Sequence, residues 1–208
     1  MKDISFLIDV LPSYIFPHDE RVIGEWVLAG FSLGGHATWL GLTHGTFFTR
    51  LRGDRTQAAQ SKPKKNKTRV YSFPEPRIRI GIPICACPDL LTLMEQRAEK
   101  HGVPRSAPYF PESLRALVRV YDPVAAPRGA FAGKRILALA GADDSLVPWS
   151  ASRAFVEALD VGERGMKKTL VLPGVKHECT DEMREELFRF FWEEALVIRQ
   201  GGTRNSAL

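Results

Sequence analysis

Four short runs of aliphatic residues punctuate the chain: "EWVLAG" (25–30), "RIRIGIPI" (77–84), "RILALAG" (135–141) and "KTLVLPG" (168–174). Near-continuous apolar runs of this length predict strands buried on both faces, as in a parallel sheet. Between and after them the apolar spacing lengthens to a helical period. "LGGHATWLGLTH" follows the first run. "PDLLTLMEQRAEKHG" opens at Pro88 and stops at Gly102, as helix-end chemistry favours. "ESLRALVRVY" and "PWSASRAFVEAL" are shorter candidates. "DEMREELFRFFWEEALVIR" carries acids in its first turn and one apolar stripe, Met183, Leu187, Phe190, Phe191 and Ala195. Strands alternating with helices predict an α/β fold, a mostly parallel sheet flanked by helices.

The stretch from about Gly45 to Pro74 breaks the pattern, with no sustained period and a polar, turn-prone middle. Composition matters mainly here. Between Arg50 and Arg69 stand eight basic side chains and one acid, Asp54, which exceeds the formal net charge of +5 for all 208 residues. The basicity therefore belongs to one segment, and the rest is slightly acidic. As a nucleic-acid arm the segment would work by phosphate neutralisation, but it lacks interleaved aromatics, so nucleic acid is a disfavoured partner. A disordered insertion at 45–74 within a single domain, 1–208, is the leading expectation, and unspliced intron sequence is an alternative.

Other totals narrow the class. Hydrophobic residues make up 44% and charged residues 25%, a globular composition. No apolar run approaches membrane-spanning length, and Asp3 and Asp9 interrupt the apolar opening, which reads poorly as a secretory signal. Three cysteines do not suggest a disulfide framework and favour a reducing, cytoplasmic location.

The candidate chemistry starts at "GFSLGG", which places Ser32 immediately after a strand and before a helix. A tight strand-to-helix turn lifts the serine clear of the backbone, and Gly30 and Gly34 are expected to remove Cβ atoms that would collide there. The helix start also offers free N–H groups, that of Leu33 included, to a developing oxyanion. Asp144 lies three residues past Gly141 after the third strand, and His177 lies in the equivalent loop after the fourth. Groups that act together in open parallel sheets gather outside the carboxyl ends of the strands. Ser32, Asp144 and His177 therefore meet the requirements of a nucleophile, an orienting acid and a base. The bland alternatives are a turn serine, a helix-approach cap and a loop histidine.

Other titratable residues read as structural. His36 and His44 suit packing or a helix C-terminus better than base chemistry. Cys85 and Cys87 are expected on one strand face, with Cys179 after the histidine loop. C-x-C plus one distant cysteine is weak zinc spacing, so buried thiols and no metal are expected. "GFSLGG" is neither G-x-G-x-x-G nor a phosphate loop, which disfavours a nucleotide-binding Rossmann domain.

With these motifs in order, the chain resembles the C-terminal part of an α/β-hydrolase of the dienelactone-hydrolase, carboxylesterase and prolyl-oligopeptidase-like branches. "GFSLGG" is similar to the nucleophile elbow, "GADDSLVP" to the acid loop and "PGVKHE" to the histidine loop. "YDPVAAPRGAFAGKRILALAG" resembles the approach to the acid strand. The resemblance implies a serine hydrolase without cofactor, acting on a small-molecule ester or, second, an amide or peptide. The four runs would be the last four strands of eight, leaving the sheet edge at "EWVLAG" uncovered and open to self-association. It also implies that the loop supplying a second oxyanion N–H is missing, so a catalytically impaired fragment or a non-catalytic binding protein is the alternative. Residues between Cys87 and Arg128, among them Leu90, Met94, Tyr109 and Phe110, would form a lid or pack in the core.

Overall fold

The computed structural model of the chain describes residues 2–43 and 76–197. The basic stretch 45–74 and His44 lie outside the described residues. The elements run α1 (Lys2–Ile15), β1 (Trp26–Phe31), α2 (Leu33–Thr43), β2 (Ile78–Ile84), α3 (Leu90–Lys100), α4 (Glu112–Tyr121), β3 (Arg135–Gly141), α5 (Ser150–Ala158), β4 (Met166–Leu172) and α6 (Asp181–Phe191). A 3-10 turn, Pro123–Ala125, follows α4, and α6 runs on into a π-helical turn, Trp192–Val197. All strand pairs are parallel, and the sheet order is β1-β2-β3-β4. The expected α/β architecture is present.

Period-two alternation divides the core. Leu137 and Leu139 of β3 join Ile80, Ile82 and Ile84 of β2 against Met183 and Phe190 of α6. Ile136 and Ala138 face the other way, toward Ile8, Trp39, Leu42 and Val156 on α1, α2 and α5. Trp39, Phe131 and Phe155 pack edge to face with centroids 5.4–6.0 Å apart, a geometry that adds roughly 0.5–1.5 kcal/mol per pair beyond area burial. The stripe read on the last helix is the one that meets the sheet: Met183, Phe190 and Ala195 are buried there, with Leu187 and Phe191 packed beside them.

Proline inside the central strand β2 leaves a mark. The β2–β3 register passes through Ile80, Gly81 and Ile84 and skips Ile82 and Pro83, where proline has no N–H to give to a ladder. Element ends follow local chemistry more closely than apolar spacing. Helix α3 starts at Leu90 rather than Pro88, because the Asp89 side chain caps it by accepting from Thr92 N at 2.9 Å. Strand β4 begins at Met166 and ends at Leu172, ahead of Pro173 and Gly174. Among the described residues no helix is long and apolar enough to cross a membrane.

Candidate active site

Ser32 is the single residue between β1 and α2, at φ +56°. A left-handed serine costs on the order of 1–3 kcal/mol unless its surroundings hold it there. Two backbone bonds do so: Ser32 N donates to Ile84 O at 2.8 Å, and Ser32 O accepts from His36 N at 3.0 Å. The glycines make the room, though not the pair expected. A Cβ on Gly30 would fall 2.2 Å from Gly34 O. One on Gly35 would fall 2.5 Å from the Ala86 Cβ and 2.8 Å from Gly30 O. A Cβ on Gly34 meets nothing within 4 Å. The first turn of α2 points Gly34 outward and Gly35 into the end of β2, so Gly35 replaces Gly34 as the second required glycine.

The loops after β3 and β4 are laid directly on one another. A Cβ on Gly141, at the end of β3, would sit 2.3 Å from Val175 O. With that space open, Asp143 N donates to Val175 O at 3.0 Å and Ala142 N to Leu172 O at 2.9 Å. The histidine loop is thereby fixed across the acid loop. His177 Nδ1 lies 2.7 Å from Asp144 Oδ2, and His177 Nε2 lies 2.9 Å from Ser32 Oγ. Asp144 is buried, and its other oxygen, Oδ1, accepts from Leu146 N at 2.9 Å and Val147 N at 2.8 Å. It is thus a local cap and the partner of histidine at once, while Asp143 is exposed. A carboxylate only accepts, which assigns the Nδ1 proton to the Asp144 bond and leaves Nε2 free to accept from the serine hydroxyl. The Phe31 ring stands 4.9 Å from the imidazole. Leu33 begins α2, and its N–H, being in the first turn, has no intrahelical acceptor.

The three residues picked from sequence therefore meet. Several neighbours carry no sequence signal. Cys85 follows β2 at φ +46° and packs with the α6-side core, whereas Cys87 packs with Leu93 and Val147. The two thiols do not share a strand face, because the strand has ended and the chain has turned. Burial raises the Cys85 thiol pKa, helped by the nearby Asp144 carboxylate. Burial pushes the Cys87 thiol up to about 11. Cys85, Asp144 and His177 offer three donor atoms within 4.8 Å of one another, yet the Asp144 and His177 atoms already hydrogen-bond each other. His36 stands in the first turn of α2, not at a helix C-terminus. It is buried, with Nδ1 2.7 Å from Cys87 O and Nε2 3.6 Å from Asp122 Oδ1. Asp122 in turn accepts from Leu90 N and Leu91 N, both at 3.1 Å, and so caps α3 across space. Burial raises the Asp122 pKa against the lowering effect of those N–H groups.

A cavity of about 70 Å³ opens beside Ser32 and Leu33, walled by Cys87, Leu90, Leu93 and Val147. His36 and Arg97 complete its lining. Of the residues expected in a lid, Leu90 reaches this cavity, Phe110 is buried and Tyr109 is exposed. Chemically, the arrangement can deprotonate a serine hydroxyl, hold the resulting imidazolium and offer a backbone donor to an oxyanion.

No protein-family model matches the sequence, and no curated protein matches it. The fold is similar to that of solved hydrolases. The bifunctional GH43-CE protein from Bacteroides eggerthii matches over 92% of this chain and 26% of its own, at 19% identity and a TM-score of 0.55. An acylaminoacyl peptidase, in complex with Z-Gly-Gly-Phe-chloromethyl ketone, matches over 93% of this chain and 27% of its own, at 16% identity and a TM-score of 0.55. A truncated form of a carbohydrate esterase from gut microbiota matches over 92% and 65%, at 16% identity and a TM-score of 0.51. The chain thus spans from about a quarter to under two thirds of the length of these proteins, and what it shares with them is the fold.

Proposed function

We propose that the chain is a serine hydrolase that cleaves carboxylic esters, and less readily amides or peptides, through Ser32, His177 and Asp144. The observation that carries this is the continuous hydrogen-bonded line from Ser32 Oγ through His177 to Asp144 Oδ2. His177 Nε2 takes the proton as Ser32 Oγ forms its bond to the carbonyl carbon. The oxyanion points to the Leu33 N–H, and Asp144 stabilises the imidazolium without itself taking the proton. Collapse breaks the bond to the leaving alcohol, which receives the proton from Nε2. Water then attacks the acyl-serine by the same steps in reverse roles, releasing the acid. No cofactor enters any step of this scheme.

A fluorophosphonate probe tests the reading. It should label Ser32 in the native chain and leave Ser32→Ala unlabelled, and equal or absent labelling of the two overturns it. A second reading, a binding protein with the geometry but without turnover, draws on the edge position of β1 and the part-length match to the compared hydrolases. Labelling with measurable ester turnover excludes that second reading.

A further inference from the structure

The two sides of Ser32 are built differently, and the difference assigns the halves of a substrate. The leaving alcohol must come within hydrogen-bond reach of His177 Nε2 to receive its proton. The alcohol half therefore lies on the His177 side of the serine. The cavity touches Ser32 and Leu33 but not His177, and its lining runs beyond the Leu33 oxyanion donor to Cys87, Leu90, Leu93 and Val147, so it faces the carbonyl's own substituent. That substituent is the acyl chain.

The cavity is also small, more apolar than polar in its lining, and stiffly walled. Pockets that hold drug-sized ligands run to roughly 300–1,000 Å³, so a cavity of about 70 Å³ suits only a short chain. Cys87, Leu93 and Val147 are all buried and pack on one another. Each wall is tied down. Cys87 O accepts from His36 Nδ1, and Val147 N is held by Asp144 Oδ1. The first turn of α3, which carries Leu90, is capped by both Asp89 and Asp122. Farther along α3, Arg97 donates through Nε and Nη2 to Leu146 O, bracing the helix against the acid loop. Widening the cavity would break several of these bonds together. On the His177 side of the serine, Phe31 is exposed and stands against the imidazole, and the alcohol half meets no comparable wall among the described residues.

We propose that this cavity is the acyl site and that it selects esters of two- and three-carbon acids, acetyl and propionyl, while accepting varied alcohols. The proposal rests on the reading of Ser32 as the nucleophile. Its bonds are those of the hydrolysis above: the acetyl or propionyl carbon exchanges the alcohol oxygen first for Ser32 Oγ and then for water.

The test is a series of p-nitrophenyl esters that vary only in acyl length, acetate, butyrate and octanoate, run beside fluorophosphonate labelling. A methylene that a pocket cannot seat is worth on the order of 10–200-fold in discrimination. Acetate should therefore exceed octanoate in kcat/KM by at least about 100-fold. Leu93→Ala should raise the octanoate-to-acetate ratio about tenfold or more by the same reasoning. Where Leu93→Ala does not fold, Leu90→Ala, on the half-buried part of the same wall, should shift the ratio in the same direction. Ser32 labelling with octanoate hydrolysed as fast as acetate, or with acetate not hydrolysed, overturns the acyl site and leaves the nucleophile reading standing. Failure of both labelling and hydrolysis overturns both.

Discussion

His177 approaches Asp144 through one carboxylate oxygen only, Oδ2, because Oδ1 is already committed to the N–H groups of Leu146 and Val147. Asp144→Asn would keep its oxygen on those two donors and turn its amide nitrogen toward His177. Nδ1 would then have to accept, placing the ring proton on Nε2, where it faces Ser32. Turnover of p-nitrophenyl acetate should fall by roughly 10⁴-fold with the urea midpoint little changed. Activity within tenfold of wild type would show that Asp144 does not set the tautomer.

Glycines one residue apart should respond oppositely to the same substitution. Gly35→Ala drives a methyl group into Ala86 and the Gly30 carbonyl, and overpacking of this kind costs about 1–3 kcal/mol. Gly34→Ala meets open space and gains helix propensity worth up to about 1 kcal/mol. Urea unfolding of the two variants compares them, and equal destabilisation would contradict the elbow packing.

Thiol reactivity should rank by burial and pKa. With Cys87 near pKa 11, only about one molecule in a thousand carries its thiolate at pH 8, and Cys85 is shifted in the same direction. Cys179 is only half-buried. Iodoacetamide at pH 8 should modify Cys179 first in the native chain and all three after denaturation, as peptide mass analysis would show. Native labelling of Cys87 ahead of Cys179 would be incompatible with this wall.

The buried Asp122 carboxyl makes stability depend on pH. Its pKa is raised by burial above the ordinary 3.8, so the folded chain binds that proton more readily than the unfolded chain. The stability it contributes is whole below the unfolded value and is lost as pH rises through the raised folded value. Asp122→Asn has no such group. The wild-type stability minus that of the variant should therefore decline as pH is raised from about 3.8 upward. A difference that grows with pH in that window would mean that the Leu90 and Leu91 N–H groups outweigh burial.

The strands, the order of the site residues and the stripe on α6 were legible in the chain because each depends on local period or on a turn that only certain residues make. "RILALAG" and "ESLRALVRVY" mark β3 and α4 to the residue. What escaped depends on three-dimensional neighbours. Nothing near Gly34 and Gly35 says which of them faces Ala86. That choice is made by how α2 sits on the end of β2. Asp122 caps a helix more than thirty residues before it, and His36 reaches a carbonyl 51 residues away. No spacing rule encodes either. Pro83 argues against a central strand on local grounds, and the sheet keeps it by leaving part of one ladder unmade.

Sheet order follows chain order, so each strand leaving the ribosome can add to the edge left by the one before it. Among the described residues, no strand has to be threaded between two already paired. Yet Ser32 and His177 stand 145 residues apart, and the base arrives only with the loop after β4. A nascent chain that has docked β1, β2 and β3 carries Ser32 without its hydrogen-bond partner His177. The Ser32–His177–Asp144 line is thus completed only when β4 joins the sheet.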